Sequence, residues 1–355
     1  MVSSSLIWIN KDRLMDQSFI KLMVTFIIHY FLILIVFVFQ IIIHEAGHCI
    51  AALISGYDFV SFRIFSFMLA KYEDGFKLKR FSVPGTAGQS LMAPPSWKDG
   101  KFPYRFYLAG GVILNTISGV FLVLLAIYIG LDQYWGRFSM VSALLAFFSA
   151  LQNGIPMKIN GMSNDGYDMK QAARGENNRR VLRDILDFNA RLQREELISE
   201  IPKSWLRYSD EEMLENLDDK GYLGLLNSKL MFLMDAGELE QAYLLVDLMV
   251  QQDHLVSIIR NELLCEKLYL ELVLKQRPSE IENLYNSDLK KYINQTKKVL
   301  LSKRRVLYAY HKLWTKDESK AVSEKNAFNR LAKKYPILGE LLLEKNLMEA
   351  VDRTL

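Results

Sequence analysis

The stretch IIIHEAGHCIAALIS, Ile41–Ser55, decides how the rest of the chain is read. It contains His44-Glu45-Ala46-Gly47-His48, an H-E-x-x-H pattern, at the end of a long apolar run. On a helix, residues four apart share a face, so His44 and His48 can direct both imidazoles at one metal ion. Glu45 lies beside that face, placed as a general base for a water held there. Two histidines and a glutamate inside an apolar segment are costly unless they do chemistry, which favours a zinc site over polar residues satisfied by their neighbours.

Upstream, Ile20–Ile43 contains neither Gly nor Pro and is dominated by Phe, Ile, Leu and Val. As a helix its 24 residues reach about 36 Å, enough to span a bilayer. No turn signal separates this run from His44, so the pattern predicts one helix to about Ser55, stopped by Gly56. Residues 1–18, polar and mixed in charge, are expected to form a short interfacial segment containing Trp8. His29, in mid-helix, is read as hydrogen-bonded within the helix bundle rather than as a functional group.

Gly56 to Tyr104 cannot be a simple span, because Arg63, Lys71, Lys77, Lys79 and Arg80 alternate there with Gly75, Pro84, Gly85 and Gly88. Phe62–Phe67 and Phe76–Phe81 partly alternate as half-buried strands do, with Tyr72–Gly75 as the turn. A β hairpin follows, dipping towards the metal motif, whose free edge, at 76–81 or at 62–67, could pair with an extended substrate. Tyr107–Gly130 reads as a second span, rich in Gly110, Gly111, Asn115, Ser118 and Gly119 for close helix packing. A third, shorter span covers Phe138–Gln152 and ends at Asn153-Gly154-Ile155-Pro156. The 55–106 loop carries eight Lys or Arg and the 131–137 turn only Arg137, so the positive-inside rule places that loop in the cytoplasm and the N-terminus outside.

From about Glu176 the chain is charged and soluble in character. Lys220–Ala236 and Glu238–Gln251 flank Gly237 as a helical hairpin with a tetratricopeptide flavour, although no clean repeat period exists. Leu255–Lys275 and Asn294–Trp314 read as further helices, and the Lys297–Arg305 charge cluster as a solvated face. The expected organisation is a segment 1–18, a membrane-embedded core 19–175 and a cytoplasmic all-helical domain 176–355. The class is mainly α, with three transmembrane helices. A formal charge of +4 without a basic stripe argues against nucleic acid as a partner. The two cysteines, Cys49 and Cys265, support no disulfide framework and are read as reduced thiols. No cleavable signal peptide is expected, since the first apolar run carries the metal motif.

Over Ile20–Tyr167 the chain resembles the site-2 protease family, zinc proteases that cut peptide bonds within the membrane. His44–His48 matches the family's first-helix motif. Gly111-Val112-Ile113-Leu114-Asn115 matches its G-x-x-x-N, with Val112 where proline is usual. Asn153-Gly154-Ile155-Pro156 with Asp165-Gly166 resembles its N-x-x-P…D-G segment, at a longer gap than is common. The resemblance implies His44, His48 and Asp165 as zinc ligands, Glu45 as general base, and Asn115 holding the substrate backbone near the metal. Asp168 is the alternative third ligand. It also implies that the 56–104 region is a membrane-associated clamp for extended substrate.

The implied partners are the lipid bilayer and a membrane-inserted peptide or protein substrate, with a protein partner at the helical domain. A competing reading is a membrane-anchored helical adaptor with a structural or inactive zinc site, which would not need Glu45. An oxidative metalloenzyme would call for more than the five histidines present.

Overall fold

The computed structural model describes residues 2–98, 102–159, 162–194, 196–217, 219–253 and 255–354, by backbone alone over 2–18 and at 159. The chain is mainly helical, with a small antiparallel sheet between its first two apolar helices. Helix α1 runs unbroken over Val2–Ile54 and ends where Gly56 turns the chain at φ +84°. It therefore continues through the segment expected as a separate N-terminal piece. The interfacial placement of Trp8 lies outside the described side chains. His29 accepts the bland expectation: its Nδ1 donates to the Thr25 carbonyl at 2.7 Å, and its ring meets Tyr134 edge-on.

Helices α2 (Tyr104–Ile129) and α3 (Tyr134–Gly154) follow the sheet, and α2 packs against both α1 and α3. Phe19–Ile54, Tyr104–Ile129 and Tyr134–Gly154 are each long and apolar enough to cross a membrane. Even the shortest, at 21 residues, reaches about 31 Å against a hydrocarbon core of about 30 Å. Where α1 meets α2, Gly47 and Gly110 bring the two main chains into contact. A Cβ on Gly47 would fall 2.2 Å from the Gly110 carbonyl oxygen, so no larger residue fits at that crossing.

The expected two-stranded hairpin is a four-stranded sheet: β1 (Asp58–Ile64), β2 (Phe67–Tyr72), β3 (Gly75–Arg80) and β4 (Gly88–Ala93), in the order β3-β2-β1-β4. The Tyr72–Gly75 turn is where the sequence places it, joining β2 to β3. Phe62–Phe67, however, is not one strand. Phe65 takes φ +50° in a tight reversal, so its two ends belong to β1 and β2. On β2, Met68, Ala70 and Tyr72 face the helical half of the chain, where the Tyr72 hydroxyl donates to the Pro336 carbonyl at 2.9 Å. The opposite face of β2 and β3 exposes Phe67, Leu69, Phe76 and Leu78, with the Arg80 guanidinium 3.7 Å from the Phe67 ring centre.

After α3 come a short hairpin, β5 (Lys158–Ile159) and β6 (Met162–Ser163), and then α4 (Asp165–Ala173). The helical half contains α5 (Glu176–Gln193), α6 (Asp210–Glu215), α7 (Lys220–Asp235), α8 (Leu239–Val250), α9 (Ser257–Leu270), α10 (Pro278–Leu284) and α11 (Ser287–Thr296). It closes with α12 (Leu301–Ala309), α13 (Glu318–Ala332) and α14 (Leu338–Arg353). The α7–α8 hairpin about Gly237 is as expected, whereas Asn294–Trp314 is broken between α11 and α12. The Lys297–Arg305 cluster is not a solvated face throughout. Lys303 and Arg305 are fully buried, Lys303 paired to Glu262 at 2.8 Å and Arg305 to Glu344 and Glu266 at 2.8 and 2.6 Å. Sequence periodicity does not reveal such pairs, because each carboxylate comes from another helix.

Candidate metal centre

His44 and His48 lie one turn apart on the buried face of α1, with their Nε2 atoms 3.2 Å from each other. Asp165 opens α4 and sets Oδ2 3.0 Å from His44 Nε2 and 3.2 Å from His48 Nε2. The three side chains form a group that could hold a metal ion. Asp165 is carried there by Asn164, the α4 N-cap. Its Oδ1 accepts from the Tyr167 amide at 2.9 Å, and its Nδ2 donates to the carbonyls of Gln152 and Ile155 at 2.6 Å each. One side chain thereby hooks α4 onto the end of α3. Asp168, the alternative, faces elsewhere, accepting from Ser163 Oγ at 2.6 Å and pairing with Lys220.

The tautomers follow from the partners. His48 Nδ1 lies 2.8 Å from the Tyr107 carbonyl oxygen, which can only accept, so that nitrogen carries the hydrogen. Asn115 turns its amide nitrogen to the Gln40 carbonyl and to Gln40 Oε1, at 3.1 and 2.8 Å. Its Oδ1 therefore faces His44 Nδ1, at 2.8 Å, and accepts from it. With Nδ1 so occupied on both rings, it is Nε2 that each turns towards the Asp165 carboxylate oxygen. A proton or a metal cation placed among these three atoms satisfies all of them. Tetrahedral zinc bonds of about 2.0–2.2 Å put ligand atoms about 3.3–3.5 Å apart, close to the spacing found here. The donor set thus fits zinc in chemistry and in size.

Glu45 sits outside this cluster, half-buried, with its carboxyl against the backbone of β4. A Cβ on Gly88 would fall 2.5 Å from Glu45 Oε1, so Gly88 is the residue that lets the strand approach. The strand next to Glu45 is therefore β4. Of the two stretches left open as the substrate edge, 76–81 is β3, at the far side of the sheet, and 62–67 belongs to β1 and β2. Arg63 fixes this approach. Fully buried, it donates to the carbonyls of Phe65 (2.8 Å) and Thr86 (3.4 Å) and to the Thr86 hydroxyl, tying β1 to the run into β4. From sequence it counts only as one of eight loop charges.

Asn115 already has partners where a residue that holds substrate would need a free donor. It is fully buried and both ends of its amide are engaged by His44 and Gln40, so it orients an imidazole and has no free donor for a substrate backbone. Gly111, one turn earlier, makes room for that ring: a Cβ there would lie 2.4 Å from His44 Cε1. Gln40 was legible as a polar residue in an apolar run, four residues before His44 and on its face. The Tyr107 carbonyl, a main-chain group, gives no sequence signal.

No family model, no curated protein and no solved structure matches this chain.

Proposed function

We propose that this chain is an intramembrane zinc endopeptidase of the site-2 protease kind, hydrolysing peptide bonds within or next to transmembrane segments of membrane-inserted peptides or proteins. The observation that carries the reading is the convergence of three potential ligand atoms, from His44, His48 and Asp165, beside a separate carboxylate, Glu45. Three protein ligands leave room for a fourth partner, as catalytic rather than closed structural zinc sites do.

Zinc bound there supplies Lewis-acid activation of a water and of the scissile carbonyl. The protein's own part is positional and acid–base. Asn115 and the Tyr107 carbonyl hold the two imidazoles in the tautomer that offers Nε2. Glu45, free of that cluster, accepts the proton of the attacking water at a carboxylate oxygen and returns it to the leaving amine. A transmembrane helix hides its peptide groups in its own hydrogen bonds, so a substrate must unwind locally. Backbone groups of β4 near Gly88 lie closest to Glu45 and can pair with the exposed segment.

In this reading the three apolar helices cross the membrane with the N-terminus outside. The apolar face of β2 and β3 meets the bilayer, and the helical domain, with its tetratricopeptide-like hairpin, lies in the cytoplasm as a surface for a protein partner. The test is a comparison of membrane peptide fragments from cells carrying the wild-type chain or Glu45→Gln. Fragments that vanish in Glu45→Gln, with zinc content unchanged in the purified protein, are the expected result. Identical fragment sets at equal expression would reject proteolysis and favour an adaptor.

A further inference from the structure

One interaction joins the helical domain directly to the segment that bears the third ligand. Lys220, the first residue of α7, reaches across to Asp168 on α4, one turn beyond Asp165. Nothing within α7 explains a lysine there, since a cation at a helix N-terminus opposes the macrodipole. The Asp168 carboxylate is buried, at 6 % exposure, and its two oxygens are engaged separately: Oδ1 accepts from Ser163 Oγ at 2.6 Å, and Oδ2 faces Lys220 Nζ. Ser163 and Asp168 bracket Asn164 and Asp165 in the sequence, so this contact closes around the residues that set Oδ2 of Asp165 on the two imidazoles.

The partner residue is held firmly at its own end. Asp219 caps α7 by accepting from the Gly221 amide at 2.8 Å, and α7 packs along α5, which follows α4 in the chain. Of the basic residues of the soluble half, Lys220 is the one whose ion pair lands on α4 among the described residues. Its loss would leave Asp168 as a buried charge with a single hydroxyl partner. Such a group moves towards water, and that displacement disturbs the first turn of α4.

We infer that Lys220 is a positioning residue for the metal centre: through Asp168 it fixes the first turn of α4, and with it Asp165. The helical domain thereby becomes part of what sets metal affinity. The inference rests on the metal site proposed above, and its test needs no substrate.

The full-length protein in detergent is titrated with Co²⁺, following the visible bands of the bound ion, and with Zn²⁺ against a chelator. Lys220→Ala is expected to weaken both metals about tenfold, the low end for partners that orient metal ligands, and to alter the cobalt bands. Lys220→Arg should restore affinity and spectrum. In an Asp168→Asn background, Lys220→Ala should have no further effect. More than half of the Lys220 side chain is exposed, so truncation opens no hole in a core. The midpoint of thermal unfolding, recorded in parallel, reports any general loss of stability. Wild-type affinity and spectrum in Lys220→Ala, whatever its unfolding midpoint, would overturn the inference and leave the metal site standing. If the wild-type chain bound neither metal, the site itself would fall.

Discussion

Replacing Asn115 by Ala separates two roles for this residue. The structure gives its Oδ1 one duty, accepting the Nδ1 hydrogen of His44 over 2.8 Å in a fully buried setting. Alanine leaves that hydrogen without an acceptor and frees the ring to turn. An unsatisfied buried donor costs about 1–3 kcal/mol. At about 1.4 kcal/mol per tenfold, that is a five- to 150-fold loss of zinc affinity, overlapping the 10- to 100-fold range usual for partners of metal-bound histidines. The assay is zinc competition against a chelator on the full chain in detergent, with Asn115→Asp in parallel. Aspartate keeps an acceptor for His44 but turns its second oxygen on the Gln40 carbonyl and Oε1, so it should bind zinc more tightly than Asn115→Ala even where the helix packing is weakened. Were Asn115→Ala to bind zinc as wild type while cleavage disappeared, the orienting role would be refuted and the substrate-holding role restored.

The sheet offers a paired test. Gly88→Ala should cut cleavage at least tenfold with zinc retained, because its Cβ meets the Glu45 carboxyl, whereas Leu78→Pro on the far edge strand should leave both nearly intact. Strong loss of cleavage in Leu78→Pro would return the substrate edge to β3. Topology is read with a cysteine at exposed Ser323 on α13, in a chain lacking Cys49 and Cys265; an impermeant reagent should label it only after permeabilisation. Ser228 is unsuitable, being buried within α7. Burial and the neighbouring Glu344 push the Glu340 carboxyl from its ordinary 4.5 up to about 7. Because the folded value lies above the unfolded one, its contribution is full below about pH 4.5 and lost as the pH rises through about 7. Glu340→Gln, which keeps an acceptor for the Tyr335 hydroxyl, should therefore gain stability over wild type between pH 5 and 8 in denaturant melts. A constant difference across that range would contradict this.

Part of the candidate metal centre was legible because its information is local. Helical spacing alone puts His44 and His48 together, whereas Asp165 was reached only through the resemblance of Asp165-Gly166 to a family segment, with Asp168 as the alternative. The three apolar helices were legible for the same reason, to within a few residues at their ends except at the start of the first, which runs from Val2. What could not be read depends on pairing between distant segments. The strand order that makes β4 the neighbour of Glu45 is fixed by β1–β4 contacts and by Arg63, and neither leaves a trace in alternation. Asn115 was found, but not its partners: an amide in an apolar helix announces a need for hydrogen bonds without saying to what. Lys220 and Lys303 look alike in sequence. One reaches a buried aspartate beside the metal centre, and the other is buried within the helical domain.

The main-chain contact between Gly47 and Gly110 has a mechanical consequence. It lies one residue from His48 on α1 and one from Gly111 on α2, level with the metal ligands. The atoms beside that contact include the Cβ atoms of Ala51 and Leu114, which no rotamer change displaces. The same contact is a fulcrum. Tilting of the two helices displaces their ends most and the crossing least, leaving His44, His48 and Gly111 in register while the outer turns swing. On the proposed protease reading, a substrate would then reach the site from the other flank of α1, where Glu45 faces Gly88.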